Sequence, residues 1–309
     1  MKQIYIHIGY PKTGTTFLQS HVFEKLHTEG KINFIWWKRD PNKIISKLIN
    51  TSELYFRLNV NRDEYLTSEI NIISQEGLSG SIFYKSINSK GNADKIKLAF
   101  PQAKIIIVVR NQLDLIVSLY KQLIHQGGVM SFSEFINYSG QKFEQSYSIG
   151  DNKLFLDSVK YDELIEYYRI LFGKEKVLVL FFEEFIESPN SFTNKIFNFI
   201  EICNPPDIEY ELGSNVGYGY YQVLLARVIN RFVYSGFNRY GLFQFFPKIF
   251  NVRRVRKVLK SNSLKKILSK KYEISDENKS FIKRYYVENN KLWLNKLDII
   301  DSPYAKKYI

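Results

Sequence analysis

The chain has 309 residues, 45% of them hydrophobic and 24% charged, with a single cysteine and a formal net charge of +13. That length supports one large α/β domain or a domain with an appendage, with a full core in either case, and the composition is that of a globular protein. One cysteine excludes an internal disulfide and a multi-cysteine zinc site and fits a reducing compartment, and Cys203 reads as a small buried hydrophobe.

The first half alternates between strand and helix patterns. IYIHIG (4–9) is a short apolar run ending in glycine, followed by Leu18, Val22 and Leu26 at helical spacing up to Gly30. NFIWW (33–37) predicts a second strand, 41–69 a mostly helical stretch, and EINIIS (69–74) a third strand. NADKIKLAF (92–100) offers an asparagine cap and a short helix closed by Pro101. AKIIIVV (103–109) is the clearest strand, continuous and β-branched, as expected where both faces of a parallel sheet are covered. A helix from Asp114 to His125, a helix over 161–173, a strand over 176–182 and a helix over 188–202 follow. Beyond Pro205 helical patterns dominate, over 220–232, 252–268 and 276–294.

The expectation is an α/β fold: a central parallel sheet flanked by helices, with a helical C-terminal portion. It is read as one domain over 1–309, with an α/β core in 1–205 and a mainly helical, basic portion in 206–309. No run of eighteen uncharged apolar residues occurs, so no span of a bilayer is expected. The first strand starts near Ile4 and leaves no room for a signal peptide, so the expected compartment is the cytoplasm.

The stretch GYPKTGTT (9–16), between a strand and a helix, is the motif that carries chemistry. Backbone N–H groups at a helix N-terminus point at an anion and the helix dipole favours it, while glycine permits close approach and threonine hydroxyls add donors. In Walker-type nucleotide hydrolases the lysine follows the last glycine, and an aspartate after a second strand holds magnesium. Here Lys12 precedes Gly14, and the run IIIVV ends on Arg110, a cation in place of a metal ligand. The loop therefore reads as a site for a phosphorylated nucleotide handled without metal.

YPKTGTT (10–16) resembles the 5′-phosphosulfate loop of sulfotransferases that use 3′-phosphoadenosine-5′-phosphosulfate (PAPS). VVRNQLDLIVSLY (108–120) resembles their 3′-phosphate motif, with Arg110 ending the strand and Ser118 eight residues on. Gln112 stands where the family usually has proline, and Leu115 where arginine is common. The segments 172–192 and 285–294 resemble the later strand–Glu–helix segment and closing helix of bacterial members, so the resemblance runs nearly end to end.

The resemblance implies that Thr13, Gly14, Thr15 and Thr16 hold the 5′-phosphate and that Arg110 and Ser118 clamp the 3′-phosphate. Lys12 is the expected catalytic cation, because negative charge builds on the leaving phosphate oxygen. Glu76, in a glycine-containing loop after a predicted strand, is the first candidate for the base that deprotonates the acceptor. His125, near Gly127–Gly128, is a rival. His7 reads as a core histidine, His21 as a helix-face residue and His27 as solvent-exposed. Four scattered histidines and one cysteine argue against a zinc site. Of Trp36 and Trp37, one is expected in the core, and the other could stack on an acceptor ring.

From Leu212 to Tyr272 the chain has thirteen Arg and Lys and no Asp or Glu. The segment 227–272 mixes those cations with aromatics. It reads as a solvated helical face, as a peripheral contact with anionic membrane, or as a cradle for an acidic polysaccharide. No nucleic acid is expected, since no recognised binding motif accompanies the charge. The function expected is transfer of a sulfuryl group from PAPS to a hydroxyl of a carbohydrate, lipid or other small acceptor, without metal. The alternatives are a P-loop small-molecule kinase, disfavoured by the lysine position, and a non-catalytic protein that binds membrane or polyanion on the same scaffold.

Overall fold

Five apolar runs become one parallel sheet. The structure is a computed structural model that describes residues 2–56, 60–210, 217–238, 257–259 and 270–309. Strands β1 (Gln3–His7), β2 (Asn33–Ile35), β3 (Ile70–Ser74), β4 (Lys104–Val109) and β5 (Val177–Phe181) lie in the order β2-β3-β1-β4-β5. Every neighbouring pair is parallel, and His7 stands opposite Ser74 on one side and Ile106 on the other. Ile105 to Val109 of β4 are all fully buried. Each such side chain stabilises the fold by about 1.5–3 kcal/mol relative to exposure, which is why this run carries no alternation.

One face of the sheet, with Tyr5, Phe34, Ile72, Ile106 and Val108, packs on Leu18, Val22, Phe23 and Leu26 from the segment after β1. Phe192, Ile196 and Phe197 of the helix Pro189–Phe199 complete this core. Strand order reverses at β1, which has β3 on one side and β4 on the other. In open parallel α/β sheets the crevice beyond the carboxyl ends of the strands at such a reversal is where ligands bind. The residues after His7 and after Val109 stand at this place.

Contacts divide the chain into two compact units. The first comprises Met1–Asn111, Asp157–Leu212 and Tyr286–Ile309 and holds the whole sheet. The second comprises Gln112–Leu156 and Gly213–Tyr285. Its described residues include the helices Gln112–His125 and Tyr220–Asn230. Within this unit Asn230 donates to the carbonyls of Ile124 and Gly128 at 2.8 and 2.9 Å, which satisfies acceptors at the end of the first of these helices. The helix Asp276–Lys296 belongs partly to each unit.

Several expectations are corrected. Among its described residues the stretch 41–69 is less continuously helical than its pattern suggests, with short helices at Ile44–Asn50 and Glu53–Phe56 and 3-10 turns at Pro41–Lys43 and Arg62–Glu64. Asn92 is not a cap: the helix begins at Ser89, and buried Asn92 donates to the Gly77 carbonyl at 3.2 Å. Cys203 is exposed, because it lies beyond the end of the helix Pro189–Phe199 rather than on its apolar face. His27 is partly buried and lies 3.0 Å from the Ile32 carbonyl through Nδ1. Apart from residues 257–259, which are helical, the helix expected over 252–268 lies outside the described residues, as does most of the basic segment. Among the described residues no helix is long and apolar enough to cross a membrane.

Candidate active site

After β1 the chain turns through Lys12 at φ 68° and Gly14 at φ 82°. A Cβ on Gly14 would stand 3.3 Å from the Phe182 ring. Both the left-handed backbone and this contact select glycine there. The Leu18 N–H bonds the Gly14 carbonyl at 3.1 Å and opens the helical ladder, so the N–H groups of the preceding turn have no helical acceptor. Thr15 is buried, and its hydroxyl has no partner. A buried hydroxyl left so costs about 1–3 kcal/mol unless something bonds to it. Thr16 and Lys12 are exposed, whereas Thr13 is buried and its hydroxyl donates to the Tyr10 carbonyl at 2.5 Å.

The helical segment after the loop runs from Thr15–Phe17 into a π-helical turn, Leu18–Phe23, and then Glu24–Thr28. The π turn carries buried Gln19, whose amide donates to the Ser74 carbonyl at 3.0 Å and hydroxyl at 3.1 Å. The Ser74 hydroxyl lies 2.7 Å from Nδ1 of His7. His7 is fully buried, and desolvation lowers its pKa to about 4, so the imidazole is neutral. It is a core histidine.

Arg110 follows β4 and reaches back to the loop. Its Nη1 donates to the Lys12 carbonyl at 2.9 Å, and the guanidinium lies 4.6 Å over the centroid of the Phe182 ring. The Phe182 ring therefore lies beside both the loop glycine and the arginine. The Tyr161 hydroxyl donates to the Arg110 carbonyl at 2.5 Å. The next residue, Asn111, donates its backbone N–H to Glu183 at 2.9 Å, and the Tyr308 hydroxyl donates to the other oxygen of Glu183 at 2.9 Å. Burial pushes the phenols of Tyr161 and Tyr308 well above their usual range, so both remain protonated donors. Phe182, Tyr161, Glu183 and Tyr308 escaped the sequence reading. A carboxylate two residues past an apolar strand was the available signal for Glu183, and the others had none.

Glu76 opens a short turn, Glu76–Ser79, directly after β3. The Gln75 side chain at its start and Asn92 from the helix Ser89–Ala99 hold this turn in place. The Glu76 residue retains solvent exposure, yet the protein around its carboxyl desolvates it and raises its pKa, while the Lys12 ammonium pulls it back down. The two charges are thus within electrostatic reach. Lys12, Thr13, Gly14, Thr15, Thr16, Glu76 and Arg110 all belong to the first compact unit. Ser118 is half-buried on the helix Gln112–His125, in the second. Gln112 and Leu115, the two departures from the resembled motif, are buried, and an apolar Leu115 suits a fully buried position.

Of the remaining candidates, His21 stacks on Phe17 with ring centroids 5.0 Å apart, and His125 lies edge-on to Tyr218 at 5.0 Å within the second unit. Trp36 is buried and Trp37 is 63% exposed, so the pair divides between core and solvent as its spacing requires. Among the described residues no group of three or more His, Cys, Asp or Glu side chains is placed to hold a metal ion.

Residues 3–215 match the family model described as the sulfotransferase domain. Among solved structures, the chain is similar to a sulfotransferase from Alicyclobacillus acidocaldarius, with 20% identity over 69% of this chain and 87% of that one, at a TM-score of 0.46. Mouse sulfotransferase SULT7A1, solved in complex with PAP, is 19% identical over 66% of this chain and 60% of its own, at a TM-score of 0.34. The sulfotransferase domain from the curacin biosynthetic pathway is 10% identical over 92% of this chain and 97% of its own, at a TM-score of 0.39. No curated protein matches the chain.

Proposed function

The chain belongs to the sulfotransferase-domain family, and from that premise we propose that it transfers a sulfuryl group from PAPS to a hydroxyl of a carbohydrate, lipid or other small acceptor, without metal. The observation that carries this reading is the bond from Arg110 to the Lys12 carbonyl, which puts a guanidinium at the loop that also holds a buried, unpartnered Thr15 hydroxyl. An anion with phosphates at two positions fits such a donor set. Gly14, Thr15, Thr16 and the backbone of Thr13 would hold the 5′-phosphate, and Arg110 the 3′-phosphate, through its fork of donors.

When bound, PAPS supplies an activated sulfuryl group whose departure leaves negative charge on a phosphate oxygen. Lys12 would stabilise that charge where it develops, an interaction stronger in the transition state than in the ground state. Glu76 would accept the proton from the acceptor hydroxyl. Its raised pKa makes it a better proton acceptor than an ordinary carboxylate, and the nearby Lys12 ammonium keeps the ionised form accessible. The reading extends to a single functional domain over 1–309 of bacterial type. The enzyme would act in the cytoplasm, with peripheral membrane contact through 227–272.

Incubation with labelled PAPS and a panel of glycans, lipids and sterols tests the proposal. Label should pass to at least one acceptor. Hydrolysis of ATP–Mg, with no transfer from PAPS to any acceptor, would move the chain to the kinase reading.

A further inference from the structure

The structure contains most of a chain of hydrogen bonds that ends inside the anion loop. The Gln19 amide donates to the Ser74 hydroxyl at 3.1 Å. That oxygen keeps a second lone pair as well as its proton, so its bond to Nδ1 of His7 at 2.7 Å can run either way, and the relay takes the direction in which Ser74 donates. A neutral imidazole that accepts at Nδ1 carries its proton on Nε2. This Nε2 is buried and makes no hydrogen bond. At the far end, the Thr13 hydroxyl donates to the Tyr10 carbonyl at 2.5 Å and keeps lone pairs with which to accept.

The gap between these two ends lies at Gly9. A Cβ at Gly9 would stand 2.8 Å from Nε2 of His7 and 3.3 Å from Oγ1 of Thr13. With Nδ1 accepting, Nε2 is a donor with no acceptor, and it and the Thr13 hydroxyl flank one point, which only a glycine leaves clear. A buried N–H carries a free-energy penalty until it is bonded, and Thr13 is the partner this geometry offers.

We propose that His7 is a positioning residue of the anion loop: its Nε2–H donates to the Thr13 hydroxyl when the loop closes on its anion, completing the relay Gln19, Ser74, His7, Thr13, Tyr10 carbonyl. The relay rests on the reading of the loop as a donor site. It adds that the loop is held from beneath by a neutral histidine fixed in one tautomer, and that Gly9 is required by that ring. His7 touches neither donor nor acceptor and acts through Thr13. The π turn fits this role, since it carries the Gln19 that starts the relay. Such turns are frequent at functional sites.

Nitrogen-15 NMR of the full wild-type chain tests the relay, with 3′-phosphoadenosine 5′-phosphate (PAP) as the probe. The expected result is a proton on Nε2 and none on Nδ1 of His7 in the free protein, and a PAP-induced shift of the Nε2 signal. A proton on Nδ1 overturns the relay, and so does an unmoved Nε2 signal in a sample that calorimetry shows to be loaded with PAP. Should PAP not bind, the donor reading fails, and the tautomer in the free protein still decides whether the histidine is oriented as stated. In kinetics, His7→Phe should raise KM for PAPS about tenfold, the worth of one hydrogen bond, with a smaller change in kcat. Gln19→Leu should shift KM in the same direction, and unchanged KM in both folded variants would also overturn the relay.

Discussion

The guanidinium of Arg110 donates to the carbonyl of Lys12 at 2.9 Å, across 98 residues of sequence. One contact thereby joins the end of β4 to the loop after β1, on the two sides of the strand-order reversal. The contact uses one arm of a fork, with Phe182 against its face, and a lysine reproduces neither the fork nor the stacking. Arg110→Lys should therefore behave like a loss rather than a conservative exchange. Losing one charge-assisted hydrogen bond costs about 1.5–3 kcal/mol, or roughly ten- to a hundredfold in KM for PAPS. Steady-state kinetics with varied donor check this, and unchanged KM would remove Arg110 from the donor site.

Glu76 pairs a raised pKa with the proposed role of catalytic base, and its removal should move stability and turnover in opposite directions. Desolvation raises the folded pKa of this carboxyl above its unfolded value. Folding therefore favours the protonated form, and stability declines as pH rises from the unfolded toward the folded pKa. Above that window the ionised carboxylate opposes folding. Glu76→Gln should raise Tm at neutral pH while abolishing sulfuryl transfer, the pattern of a residue kept for chemistry at a cost in stability. Thermal scans at neutral and acidic pH, beside turnover assays, check both halves. A lowered Tm at neutral pH or retained turnover would contradict the assignment.

Tyr308, next to last in the chain, bonds Glu183, which in turn receives the N–H of Asn111 beside Arg110. Tyr308→Phe removes one donor from a buried carboxylate while keeping the ring in its packing against Phe181 and Trp293. The expected loss is about 1–3 kcal/mol of stability, read by denaturant unfolding. A smaller rise in KM for PAPS than Arg110→Lys gives should accompany it, because the arginine is displaced rather than removed.

The loop presents Lys12 ahead of its glycine, and β4 leads into Arg110 rather than a carboxylate that could hold magnesium. Turnover of PAPS should therefore be unchanged by a metal chelator. Loss of activity with EDTA and recovery with added magnesium would show that the charge on the leaving group is neutralised by an ion and not by Lys12.

Much of this arrangement was legible in the residues themselves. The continuous apolar run of β4 and the glycine-bounded loop after β1 carry local signals, periodicity and turn chemistry, that tertiary packing did not override. The π turn was not legible, because Leu18, Val22 and Leu26 have the same spacing in either kind of helix. The bond from Tyr308 to Glu183 spans 125 residues, and no local pattern encodes a contact of that range. Cys203 was placed in the core on the general habits of free cysteines, whereas the end of its helix determines its exposure.

Calorimetry comparing PAP with 5′-AMP on the wild-type chain and on Arg110→Ala tests the donor site most directly. The account predicts that the wild type binds PAP more tightly than 5′-AMP and that this preference disappears in Arg110→Ala. Equal affinity of the wild type for the two nucleotides, or a preference that survives the substitution, would contradict it.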